Sequence, residues 1–153
     1  MKKLQLDKNG IYEYQQNREP YLMIDFATEI VPGKSAKGYK DLSKDEWFFK
    51  VHWPNDPNMP GMLQVEALVQ MCALALFCLP GNKGKAAHAI SHNVKYKREI
   101  VPGEKLEIET KVLSWNRGIC KGTGKGIVSG ELACEAEMTL TIPDILNKFL
   151  PKK

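Results

Sequence analysis

No apolar run in this sequence is long enough to cross a bilayer. The longest unbroken one, Met71 to Leu79, spans nine residues, against the roughly 20 that a membrane helix requires. Nothing is repeated and no stretch is compositionally biased, so the chain reads as an ordinary globular protein rather than a solenoid or a disordered tract. The opening MKKLQLDKNG has two lysines but no apolar segment behind them, which argues against a secretory leader. The four cysteines, Cys72, Cys78, Cys120 and Cys134, form no CxxC pair and no cluster with histidine at zinc spacing. They read as buried free thiols in a reducing compartment, with no metal and no cofactor expected. A cytoplasmic protein is the expectation. Acidic residues are missing altogether from positions 110–130, where Lys111, Arg117, Lys121 and Lys125 fall, and Lys95, Lys97 and Arg98 form a second basic group. With a net charge of only +4, these segments are either solvated faces or a surface for an acidic partner. Nucleic acid fits poorly, because the aromatic residues are not interleaved with the basic ones.

What is present points to one compact domain over residues 1–153, since 153 residues supply a proper core for one domain but hardly for two. Tyr21 to Val31 reads as a strand closed by the turn Pro32-Gly33-Lys34, and Ala36 to Leu42 as the next. Ser43 to Asp45 reads as a turn or a short helical start. The segment HWPNDPNMPG carries three prolines in ten residues and cannot be regular structure. Pro60 suits the first position of a helix, where its missing N–H would have had no partner. That helix runs to about Leu79 and is stopped by Pro80-Gly81. Its strongly polar residues are Gln64, Glu66 and Gln70 alone, so it must be buried on most sides. Period-two alternation marks strands at Lys105 to Val112 and Val128 to Ile142, with another at Ile90 to Tyr96. Pro102-Gly103 and Asn116-Arg117-Gly118 are turns. The class is α+β, a long central helix wrapped by an antiparallel sheet.

Ionised side chains are costly in such a helix, so Glu66 stands out, with His52 fourteen residues before it. Each has a plain structural alternative: His52 as a turn residue beside Trp53, and Glu66 on an uncovered stripe with Gln70 one turn on. If Glu66 is buried, it must be paired or protonated. Gly61 opens the helix, where unpaired N–H groups and the positive end of the dipole favour an oxygen gaining negative charge. It also lacks a side chain that would block close approach. An imidazole base, a carboxyl group in apolar surroundings and an oxyanion donor are the parts needed to abstract a proton α to a carbonyl. His88 and His92 have no acidic or cysteine partner at ligand spacing and read as solvent or turn residues.

The stretch FFKVHWPNDPNMPGMLQVEALVQ resembles the signature of the 3-hydroxyacyl-acyl-carrier-protein dehydratases of the hot-dog fold (the FabZ and FabA type). The matching residues are Phe48, Phe49, His52, Pro54, Pro57, Met59, Pro60, Gly61, Leu63, Glu66, Ala67 and Gln70. NREPYLMID, VPGK, VKYKREIVPGEKLEIE and GELACEAEMT are similar to further family segments, so the resemblance covers most of the chain. It implies a homodimer with possible higher assembly, working in fatty acid or related acyl-chain biosynthesis. His52 would remove the α-proton of a (3R)-3-hydroxyacyl thioester, and the Gly61 N–H would polarise the thioester oxygen. Glu66 of the partner subunit would protonate or orient the departing hydroxyl. Leu68 and Met71 would help line an acyl tunnel, Gln70 would support the site, and Lys95, Lys97, Arg98, Arg117 and Lys121 would meet the acyl carrier protein.

Departures from the family pattern fall near the histidine: Val51 in place of glycine, Trp53 in place of phenylalanine, Asn55-Asp56 and Asn58 in place of smaller or apolar residues. Glu19 replaces an aromatic residue. The Asn-Asp-Pro wording leans toward FabA-like and polyketide-type enzymes, some of which also isomerise the double bond, while Glu66 favours dehydration alone. A hot-dog thioesterase and a non-catalytic acyl-binding module remain alternatives.

Overall fold

The computed structural model describes residues 2–152. In chain order the elements are β1 (Leu4–Leu6), α1 (Lys8–Tyr14), β2 (Phe26–Val31), β3 (Ser35–Asp41), α2 (Trp47–Val51) and α3 (Gly61–Phe77). They are followed by β4 (His88–Tyr96), β5 (Lys105–Asn116), β6 (Ile119–Val128), β7 (Glu131–Thr141) and α4 (Pro143–Leu146). All the strands join one antiparallel sheet in the order β1-β2-β3-β5-β6-β7-β4. The sheet curves around α3, the long helix that the apolar run predicts. Thirteen of its seventeen residues are buried, so it is covered on most sides, and its core partners include Leu106, Ile108, Met138 and Leu140 from the inner face of the sheet.

Several sequence expectations shift. The early strand begins at Phe26 rather than Tyr21, because Leu22, Met23 and Ile24 are all buried and cannot alternate between two faces. Ser43 to Asp45 stays non-helical, and the short helix there comes two residues later as α2. Pro60 is the N-cap of α3, one position before the first helical residue. The long alternating stretch Val128 to Ile142 is broken at Ser129-Gly130, where both residues take positive φ (51° and 78°), as a two-residue hairpin turn requires. Val128 therefore ends β6, and β7 starts at Glu131.

The strand β6 received no bounds in the sequence reading, because three of its five buried positions, Gly122, Gly124 and Gly126, are glycines. A Cβ on Gly122 would lie 2.8 Å from Cys72 Sγ, and one on Gly124 would lie 3.1 Å from Leu68 Cβ. The strand thus trades an apolar stripe for close approach to α3. On the outer face, cross-strand register places Glu29, Lys37, Glu109, Lys125, Glu135 and Lys95 side by side on consecutive strands. Charge alternates along this row, which favours the native register.

Candidate active site

The helix α2 is anchored by the buried rings of Phe48 and Phe49, packed edge to face at 4.7 Å. Its C-cap is His52, whose N–H donates to Phe48 O at 2.9 Å. The proline-rich loop then folds back until His52 Nδ1 lies 3.1 Å from the Asn58 carbonyl oxygen. A carbonyl only accepts, so this contact forms when Nδ1 carries the proton, which leaves the lone pair of the neutral ring on Nε2. The loop is held from both sides: Met59 N–H donates to Ile100 O at 2.8 Å, and Gln64 Nε2 donates to Met59 O at 3.0 Å.

Immediately after it α3 begins. Leu63 and Gln64 donate to Pro60 O, whereas the Gly61 N–H has no backbone acceptor among the described residues, as expected at a helix start. The Tyr96 ring stands over this end. A Cβ at Gly61 would come within 2.7 Å of it, so any side chain here would displace the half-exposed ring.

One and a half turns into α3, Glu66 is half-buried, and burial pushes its carboxyl pKa above the ordinary value despite a hydrogen bond from Gln70. Gln70 is itself fixed in one orientation. Its Oε1 accepts from Met23 N–H at 2.7 Å, and its Nε2 donates to Tyr21 O and Glu66 Oε1, each at 3.0 Å. Glu66 Oε1 is thereby occupied as an acceptor, leaving Oε2 free to hold a proton. Burial first, and the Glu66 charge second, push the Tyr21 phenol pKa upward. Tyr21 is therefore a neighbour of the carboxyl, although the alternation placed it only on a strand.

A cavity of about 200 Å³ opens beside Glu66, between α3 and the segments 15–17 and 85–88. His88 lines it, at the start of β4 rather than in a turn. His52 is not among its walls, so a single chain does not bring the histidine and the carboxyl to one cavity. Leu68 and Met71 are fully buried core residues and are absent from these walls. A larger hollow of about 740 Å³ lies on the outer face of the sheet, lined by the alternating charged row, and contains none of His52, Gly61 and Glu66.

The basic residues divide into two groups. Lys95 and Lys97 flank Tyr96 beside the start of α3, with Lys95 opposite Glu135. Arg98 is engaged internally, donating to both carboxylate oxygens of Glu104 at 2.9 and 2.7 Å. Arg117 sits in the β5–β6 turn with its guanidinium 5.7 Å above the Phe149 ring. Lys121 lies nearby on β6, opposite Thr139. Pairing of Ile119 with Thr141 and of Thr141 with His88 puts this second group at the other end of the sheet.

A long buried helix wrapped by a curved antiparallel sheet is the hot-dog fold. The same fold is found in the dehydratase heterocomplex ApeI:P from Xenorhabdus doucetiae, with a TM-score of 0.76 over 93% of this chain and 97% of that one at 13% identity. It is found again in thioesterase superfamily member 2 from Mus musculus, at 0.60 over 76% and 80%, also at 13% identity. The chain belongs to the family of the FabA-like domain, whose model matches residues 16–137. Its curated relatives include the 3-hydroxyacyl-[acyl-carrier-protein] dehydratase FabZ of Bacillus velezensis, 41% identical over 138 residues that make up 90% of this chain and 98% of that protein. The enzyme of the same name from Natranaerobius thermophilus is 42% identical, over 89% and 96%.

Proposed function

We propose that this protein is a 3-hydroxyacyl-acyl-carrier-protein dehydratase acting in acyl-chain biosynthesis, with residues 1–153 forming one catalytic domain. The observation that carries the reading is the complementary preparation of two groups. His52 Nδ1 is engaged by the Asn58 carbonyl, which leaves Nε2 as the nitrogen that can face substrate, and Glu66 is placed where burial favours its protonated form. In the reaction, His52 Nε2 takes the α-proton of a (3R)-3-hydroxyacyl thioester. The electron pair of that C–H bond moves through the thioester carbonyl, whose oxygen is stabilised by the Gly61 N–H and the helix dipole. As the electrons return to form the α–β double bond, the β-hydroxyl leaves with the proton from Glu66. The products are water and a trans-2-enoyl thioester, and the proton on His52 passes back to Glu66 through solvent.

Because one chain leaves His52 outside the Glu66 cavity, the complete site takes His52 from one copy and Glu66 from another, in a homodimer. Support comes from β4, an unpaired edge strand nine residues long that exposes Ile90 and Tyr96. Such an edge is a template for a second strand. Val51, Trp53 and Met62 are exposed around the histidine and the helix start, which suits burial by a second copy. The acyl carrier protein docks at the Gly61 end against Lys95 and Lys97. The enzyme works in the cytoplasm, in keeping with the absence, among the described residues, of a helix able to span a membrane.

The test is direct. Incubation with a (3R)-3-hydroxyacyl thioester should yield the enoyl product without free thiol. His52→Ala and Glu66→Gln should each lower kcat by about 10²–10⁴-fold while circular dichroism stays native. Thiol release without enoyl product would make the protein a thioesterase, and wild-type turnover in either variant would remove that residue from the mechanism.

A further inference from the structure

Of the strongly polar residues of α3, Glu66 stands at the candidate site and Gln70 anchors it. Gln64 has no such place. It is 4% exposed, and the two ends of its amide differ. Nε2 donates to Met59 O at 3.0 Å, whereas the buried Oε1 has no donor among the described residues. An apolar side chain of the same length would orphan no oxygen of its own. It would instead leave Met59 O unpaired, because that carbonyl has no other donor among the described residues. One buried acceptor goes unmet either way, so hydrogen bonding gives stability no reason to prefer the glutamine. What Gln64 changes is where the deficit falls: on a side-chain oxygen of the helix instead of the backbone of the loop.

That carbonyl occupies a sensitive place. The Met59–Pro60 peptide has no N–H, so the Met59 oxygen is its only polar handle. The preceding peptide gives its N–H to Ile100 O at 2.8 Å, and its Asn58 oxygen meets His52 Nδ1 at 3.1 Å. The two peptides share the Met59 Cα. A buried carbonyl without a donor turns toward water, and such a turn at Met59 would draw the Asn58 oxygen away from the histidine. We propose that Gln64 is a positioning residue for the reaction: by holding Met59 O it fixes the Asn58 carbonyl, and through it the tautomer and direction of the His52 ring. The proposal rests on the dehydratase reading and adds a residue that acts on the histidine only through the loop backbone.

Gln64→Met and Gln64→Leu keep the bulk and remove the amide. Each should lower kcat for a (3R)-3-hydroxyacyl thioester by about five-fold or more with KM nearly unchanged, since a misaligned base slows chemistry rather than binding. Heteronuclear NMR of isotope-labelled histidine rings at alkaline pH reads the positioning itself. The signals of His52 are those missing from His52→Ala. They should show the proton on Nδ1 in the wild type and divide between both tautomers in the variants. Wild-type kcat in either folded variant overturns the proposal, as does a loss carried by KM alone. An unchanged ring spectrum overturns it whatever the rate, and so does a wild-type ring already divided between tautomers. Failure of both variants to fold would make Gln64 a folding residue and overturn it too. If the wild type turns over no hydroxyacyl thioester, the dehydratase reading fails alone, and the ring spectra decide the role of Gln64. Tautomer mixing on loss of the amide then upholds that role, and an unmixed Nδ1–H refutes it.

Discussion

At the scale of single residues, the candidate site fixes its side chains through backbone groups. Asn58, which departs from the family pattern, contributes its carbonyl oxygen to His52, so its side chain is free to differ. Gln70 looked like a companion of Glu66 on an exposed stripe. It is 2% exposed and ties Glu66 to the backbone of Tyr21 and Met23. Glu66 itself has a consequence for stability. Its folded-state pKa lies above the ordinary 4.5, so the native state holds the proton more tightly than the unfolded chain does. That contribution is complete below the unfolded value and is lost as pH rises through the folded one. Glu66→Gln removes the titration. The melting temperature of the variant relative to wild type should therefore be higher at pH 8 than at pH 4, by calorimetry. A difference that does not grow with pH would mean that Glu66 is not destabilised by burial.

At the scale of elements, legibility followed side-chain pattern. The helix α3 was readable because its apolar run admits only burial, and β5 and β7 because they alternate. The strand β6 was not, since CKGTGKG offers no stripe and its pairing depends on β5 and β7 lying on either side. Its glycines are packing devices. At Gly122 an added Cβ meets both Cys72 Sγ, at 2.8 Å, and the Lys111 carbonyl oxygen, at 3.0 Å. The second of these is backbone and cannot swing aside. Gly122→Val should cost about 1–3 kcal/mol or more by overpacking, read as a lower urea midpoint at unchanged m. A midpoint within error of wild type would show that sheet and helix can separate at no cost.

At the scale of the whole molecule, the decisive feature is the unpaired edge. The strand β4 bonds to β7 on one side only, and it carries Tyr96 over the helix start and His88 into the Glu66 cavity. Proposed pairing of two copies along β4 would bind assembly to catalysis. Ile90, 56% exposed on that strand, is the place to test it. Ile90→Arg should shift the protein from dimer to monomer in sedimentation, with activity falling in parallel by ten-fold or more. A fully active monomer would place the whole site within one chain. The proposed carrier surface also changes at this scale: the sequence grouped the basic residues by proximity in the chain, whereas the sheet separates Arg117 and Lys121 from Lys95 and Lys97, and Arg98 is engaged with Glu104.

The sequence by itself determined the class of fold, the long buried helix and most of the turns, which follow from local rules: hydrophobic period and proline and glycine stereochemistry. The choice of His52, Gly61 and Glu66 as candidates came instead from the resemblance to the dehydratase signature, since local rules left a plain structural alternative for the histidine and the glutamate. Only the tertiary structure decided that the Asn58 carbonyl meets the histidine, that Gln70 anchors the glutamate, that glycines in β6 admit the helix, and that His88 and Lys85 line the cavity beside Glu66. Each of these joins residues distant in the chain or set by a folded loop, and no local pattern encodes such a meeting before the sheet has closed around α3.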